Sequence, residues 1–140
     1  ITAWWSSKSV TFVENHDTAP RDPDFIKKAP ESYKQSMMAG YAYILTHPGI
    51  PCIFWPHYYD MGEAYHNDIQ RLLELRRMAG IGTSAKVKVL RSEKGLYVAI
   101  INNILAVKLG SSWAWNAPPE WKLQMSGNNF AVWLGPEPKK

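Results

Sequence analysis

The chain has 140 residues and a mass of 16.0 kDa, which is room for one ordinary domain with a sizeable hydrophobic core. It is 46% hydrophobic and 20% charged, a globular balance, and no run is apolar enough to cross a bilayer, so a membrane-spanning helix is excluded. The net charge of +4 is carried by scattered residues, with only Lys27-Lys28, Arg76-Arg77 and Lys139-Lys140 adjacent, so nucleic acid is a poor fit as a partner.

The opening residues, Ile-Thr-Ala-Trp-Trp-Ser-Ser-Lys, carry no signal peptide and no initiator Met, and read as though cut from something longer. Residues 9 to 14 then read as a strand, rich in β-formers, that stops abruptly at Asn15-His16-Asp17. Polar groups at the C-terminal end of a strand are where parallel α/β proteins hold their ligands. Pro20, Pro23 and Pro30 make residues 17 to 30 an irregular loop. A helix follows from about Glu31 to His47, with Tyr33, Met37, Tyr41, Ile44 and Leu45 on one face, and Pro48-Gly49 ends it.

A short buried strand is expected at Cys52 to Trp55, between Pro51 and Pro56, with His57-Tyr58-Tyr59-Asp60 as its polar-aromatic exit. The second helix is expected to start near Asn67, with Gln70 three residues on as in a capping box. Arg76 and Arg77 suit its negative C-terminal end and Gly80 its left-handed stop. Beyond Gly80 the period shortens to five strand candidates: residues 86–91, 96–101, 104–109, 121–125 and 130–134. Lys94-Gly95, Asn102-Asn103, Pro118-Pro119 and Gly127-Asn128-Asn129 separate them. The residues alone thus predict two β/α units followed by a small antiparallel sheet. Cys52 is the only cysteine, which excludes an internal disulfide and a cysteine-based zinc site and leaves the compartment open. The seven Trp and seven Tyr serve either as stacking surfaces for flat ligands such as sugars or as core filling.

Val10-Thr11-Phe12-Val13-Glu14-Asn15-His16-Asp17-Thr18 resembles the last catalytic motif of the α-amylase family of glycoside hydrolases, with Glu14 where that motif has Asp. The run from Gly40 to Gly49, with Pro51 to Phe54, is similar to a stretch of the plant and algal members. Residues 68 to 76 resemble the last helix of the family's barrel, and Ala131-Val132-Trp133 its terminal strand. The resemblance implies the last two β/α units of a (β/α)8 barrel over residues 1–82, incomplete by themselves, and an antiparallel C-terminal sheet domain over residues 83–140.

That resemblance also implies the chemistry. Retaining hydrolysis of an α-1,4-glucan needs a nucleophilic carboxylate and an acid roughly 5 Å apart. In the family both come from earlier strands that this chain does not contain. Asp17 matches the third carboxylate, which stabilises the transition state, and His16 the neighbouring substrate-binding histidine. The alternative for the pair is a plain turn with the Asp capping backbone amides. Asn15 is expected to shape the strand end, with Glu14 buried or paired behind it.

Asp22, Asp24, Asp60, Glu63 and Asp68 read as caps or solvated charges, not substitutes for the missing carboxylates. Trp4-Trp5 resembles the tandem tryptophan of a surface starch platform, against which stands plain packing of helix on barrel. Trp113 and Trp115, in a loop of the sheet domain, read either as another sugar platform or as a hydrophobic lid. His47, His57 and His66 lack metal-ligand spacing and are expected to be satisfied or exposed. The chain itself implies no cofactor, and the calcium expected of the intact enzyme would be held by residues not present here. Ala19, the Pro20-Arg21-Asp22-Pro23 loop and Trp55-Pro56 depart from the family pattern at the cleft. The implied function is α-amylase-type glucan hydrolysis, inactive in this chain alone. The competing reading is a non-catalytic remnant that binds glucan or needs a partner over its open edge.

Overall fold

A computed structural model describes residues 3–22 and 24–136. A 3-10 helix, Ala3–Lys8, leads into strand β1, Val10–Thr11. The Pro-rich loop carries one helical turn, α1, Phe25–Lys28. Helix α2 spans Glu31–Thr46, strand β2 Ile50–Pro51, helix α3 Trp55–Asp60 and helix α4 Glu63–Met78. Five strands follow: β3 Val87–Glu93, β4 Leu96–Ile101, β5 Leu105–Leu109, β6 Lys122–Gly127 and β7 Phe130–Leu134.

β1 and β2 pair in parallel, Val10 against Ile50 and Thr11 against Pro51, with α2 as the crossover. This is the β/α arrangement expected of residues 9–80, in a two-stranded form. The strands are shorter than expected, and β2 falls two residues earlier. The Ile50 amide donates to Ser9 O at 3.0 Å and that of Cys52 to Thr11 O at 2.7 Å, and with these the ladder ends. Trp55, expected to end the strand, and the polar-aromatic exit His57 to Asp60 instead form α3, whose first turn accepts Pro56 because the missing N–H has no intrahelical partner there.

The start of α4 is a second correction. It lies at Glu63, so the Asn67–Gln70 box is already inside the helix and caps nothing. Gly62, at φ 114°, makes the reversal into the helix that a side-chain cap would otherwise mark.

The C-terminal half is an antiparallel sheet in the order β3-β4-β5-β7-β6, with bulges on both edge strands at Val89/Arg91 and Leu123/Met125. One face packs Ala99, Ile101, Leu105, Val107 and Val132 against Tyr41, Leu45, Ile69, Leu72 and Leu75 of α2 and α4, a single core between helices and sheet. The other face holds Val98, Ala106, Lys108 and Ala131, also buried. The loop from Gly110 covers it. Trp115 stands edge-on to Trp133 at 5.4 Å, and the Lys108 ammonium lies 3.7 Å from the Trp113 ring centre and donates to Gly110 O. Burial holds the Lys108 pKa below its usual value. Trp115 therefore serves as a lid, while Trp113 keeps half its surface in water.

Helix and strand meet closely at Gly40. A Cβ there would lie 2.9 Å from Val13 Cγ1. Alanine in a helix interior normally gains about 0.5–1 kcal/mol over glycine. Here Gly40→Ala should instead cost about 1–3 kcal/mol, because Val13 is stiff at χ1 and the chain after β1 must move. Thermal denaturation checks this, and a variant that melts higher than the parent would contradict it.

Candidate functional site

The segment after β1 folds into a self-bonded polar turn. Asn15 Oδ1 accepts the amides of Asp17 at 2.9 Å and Thr18 at 3.1 Å, an Asx turn. The Asn15 carbonyl takes the amides of Thr18 and Ala19, at 3.3 and 2.9 Å. The Thr18 hydroxyl donates to the Glu14 carboxylate, which also accepts the Asn15 amide at 3.3 Å. Glu14 is thus paired behind the turn and Asn15 does the capping, which leaves the Asp17 carboxylate unspent on the backbone. His16 Nε2 lies 3.2 Å from Asp17 Oδ1, with the two side chains 87% and 77% exposed. An exposed pair of this kind contributes little to stability. Its atoms are free to meet ligand hydroxyls, the carboxylate as acceptor and the imidazole as donor or acceptor.

Under the turn lies a buried relay. His57 is bonded on both ring nitrogens, Nδ1 to the Tyr41 hydroxyl at 2.9 Å and Nε2 to the Tyr33 hydroxyl at 3.0 Å. Tyr41 also accepts the Phe54 amide at 3.2 Å, and among the described residues its hydroxyl hydrogen has Nδ1 as acceptor. His57 therefore carries its proton on Nε2 and gives it to Tyr33. Burial lowers the His57 pKa to about 4, with the Glu14 carboxylate pulling the other way. Burial, modestly opposed by the Phe54 amide, pushes Tyr41 up to about 12, and Tyr33 is raised by burial and by Glu14. The relay joins α2 to α3, and the Glu14 carboxylate of the polar turn acts on it through its charge alone. Sequence reasoning left His57 merely satisfied or exposed. Tyrosines eight apart on one helix, Tyr33 and Tyr41, were the available signal.

The other candidates scatter. His47 is buried, its Nδ1 donating to Tyr43 O at 2.9 Å and its Nε2 meeting the Tyr97 hydroxyl at 2.8 Å. His66 Nδ1 meets Tyr58 O at 3.0 Å. Asp22 accepts the Asp24 amide at 2.9 Å, Asp24 pairs with Lys28 at 3.3 Å and Asp60 with Lys27 at 3.8 Å. Glu63 opens α4. The side chains of Trp4 and Trp5 lie outside the described residues. Trp55 and Tyr59 stack at 4.2 Å and are largely exposed. Among the described residues no group of three or more His, Cys, Asp and Glu side chains could hold a metal ion.

Residues 78–134 match the family model of the alpha-amylase C-terminal beta-sheet domain. The chain is 42% identical over 134 residues to a probable alpha-amylase 2 of Arabidopsis thaliana, covering 95% of this chain and 31% of that relative. It is 38% identical to an alpha-amylase type B isozyme of Hordeum vulgare, covering 95% of this chain and 84% of the relative. The structure of an Anoxybacillus alpha-amylase aligns with TM-score 0.66 at 14% identity, over 94% of this chain and 39% of that one, a likeness of fold. The chain thus spans about a third of the length of the Arabidopsis relative.

Proposed function

The chain belongs to the α-amylase family, and we propose that it supplies the third carboxylate and a substrate-binding histidine to a retaining α-1,4-glucan hydrolase. Residues 1–82 are then its share of a (β/α)8 barrel and residues 83–140 the C-terminal domain. The observation that carries this reading is the Asn15-locked turn, which sets His16 and Asp17 side by side, outward, at the end of a parallel strand. In the proposed site Asp17 accepts hydrogen bonds from the hydroxyls of the sugar at the cleavage point. Those bonds strengthen as the ring flattens toward the oxocarbenium ion, so they favour the transition state over the bound substrate. His16 holds a neighbouring hydroxyl and orients the ring. The nucleophile and acid come from barrel strands other than β1 and β2. Calcium, expected of the intact enzyme, has no ligand set assigned in this chain.

A second reading rests on the exposed apolar edge of the two-stranded sheet: Val10, Phe12 and Ile50 are 59%, 49% and 47% exposed. A chain that binds glucan without cleaving it, and covers this edge with another protein, would explain that surface too. Adding the six missing barrel units, as a separate polypeptide or in one chain, decides between them. Maltooligosaccharide cleavage should appear, and Asp17→Asn should lower kcat by on the order of 10²–10³, the loss seen when one transition-state hydrogen-bonding group is removed. A complete barrel that binds starch but stays inert would favour the second reading.

A further inference from the structure

The Asp17 carboxylate has no rigid neighbour to aim it. Among the described residues its one partner is His16, itself largely exposed, so the backbone of the turn sets the direction of both side chains. That backbone is gathered on one atom, Asn15 Oδ1, which accepts the Asp17 amide at 2.9 Å and the Thr18 amide at 3.1 Å. A carbonyl oxygen has two lone pairs, and these two amides fill them.

A third donor stands within reach of the same oxygen. The Thr18 hydroxyl lies 3.1 Å from Asn15 Oδ1 and also within hydrogen-bonding distance of Glu14 Oε1. It has one hydrogen to give and two acceptors to choose between. A hydrogen bond to an ionised carboxylate is roughly twice as strong as one to a neutral amide, so the hydrogen goes to Glu14. The Asn15 amide closes the arrangement, 3.3 Å from Glu14 Oε1 and 3.4 Å from the Thr18 hydroxyl oxygen. Glu14 is half-buried and follows Val13, which packs on Gly40 of α2 and against the core, so its carboxylate is the fixed side of the turn. Without that carboxylate the Thr18 hydrogen turns to Asn15 Oδ1 and competes there with the two amides.

We propose that Glu14 is a positioning residue for Asp17: it draws the Thr18 hydroxyl hydrogen off Asn15 Oδ1 and leaves that oxygen to the two amides that direct the His16–Asp17 pair. Its bearing on catalysis rests on the role proposed for Asp17 above, and its bearing on the turn does not.

If so, a second substitution repairs the first. Glu14→Met keeps the length of the side chain and removes the acceptor. In the 15N-labelled chain, the temperature coefficients of the Asp17 and Thr18 amide shifts should then move toward those of water-exposed amides. The Ile50 and Cys52 amides, bonded to Ser9 O and Thr11 O, should keep theirs, which marks the fold as intact. Adding Thr18→Val, similar in shape but without the hydroxyl, should return the Asp17 amide close to its parent value. In the completed barrel Glu14→Met should lower kcat about tenfold with KM little changed, as for a misaimed group, and the double variant should recover severalfold. Parent-like Asp17 and Thr18 amides in Glu14→Met would overturn the proposal, as would a double variant no better than the single one. An Asp17→Asn barrel of parental activity would instead overturn the catalytic role of Asp17, and the amides would still decide what Glu14 does to the turn.

Discussion

Lowering the pH from 7 to 4 should remove about 6 kcal/mol of folding stability, through His47 and His57 acting together. Burial brings each folded pKa to about 4, against the ordinary 6.5 of a solvated histidine. Below pH 6.5 the unfolded chain takes up two protons that the folded chain refuses, so stability rises with pH between 4 and 6.5. It is fully present above 6.5 and fully lost near 4. A gap of that size is worth roughly 3 kcal/mol per histidine, and neither ring has solvent to screen it. Around His57 stand Tyr33, Tyr41 and Glu14, and only the carboxylate favours the proton. Around His47 stand Tyr43, Tyr97 and the Arg76 guanidinium, which opposes it. Asp68, with its pKa raised, works weakly in the opposite sense. Urea midpoints at pH 7, 5 and 4 measure the loss. His47→Gln and His57→Gln should each flatten about half of the pH dependence while lowering stability at pH 7. A midpoint that stays constant from pH 7 to 4.5 would contradict the assignment.

The same histidines show what the sequence disclosed and what it could not. Pro48-Gly49 marks the end of α2 within one residue, since both residues break a helix by local chemistry. The five strands fall within about two residues of their expected places, because paired turn residues punctuate them. Asn102 and Asn103, for example, both adopt the left-handed backbone their turn requires. Where a boundary depends on something other than its own residues, the reading slipped. Asn67 and Gln70 form a fair capping box, but a positive-φ Gly62 had already started the helix. Ile50 and Pro51 pair with Val10 and Thr11, and this register is set by a partner forty residues away. Asn15 was expected to shape the strand end, and capping was weighed for Asp17 alone. That Asn15 and not Asp17 would cap depends on backbone angles that no spacing specifies.

Replacing Arg76 by Met should cost about 4 kcal/mol, a large part of the 5–15 kcal/mol that holds an ordinary domain together. α2 ends at Thr46 with its last carbonyls lacking amide partners, and the negative end of its dipole points at the joint between helices and sheet. Arg76 reaches across from α4 and answers both. One guanidinium nitrogen donates to Leu45 O at 3.0 Å and His47 O at 2.7 Å, with Ile44 O at 3.4 Å, and the other donates to Gly49 O at 2.9 Å. Burial lowers the Arg76 pKa, yet a guanidinium stays charged throughout the working range. Met keeps the length and the apolar stem and removes every donor, so the carbonyls are left desolvated and unpaired. Lys keeps the charge, but one ammonium cannot span carbonyls that a planar fork reaches from two nitrogens, so it should recover only about half of the loss. Gly49 and the segment leading into β2 hang on the same contact, so the parallel pair that supports the His16–Asp17 turn should loosen first. Urea denaturation followed by circular dichroism, with hydrogen exchange at Ile50 and Cys52, reads both effects. A loss below about 1 kcal/mol for the Met variant would mean that water serves those carbonyls as well as Arg76 does.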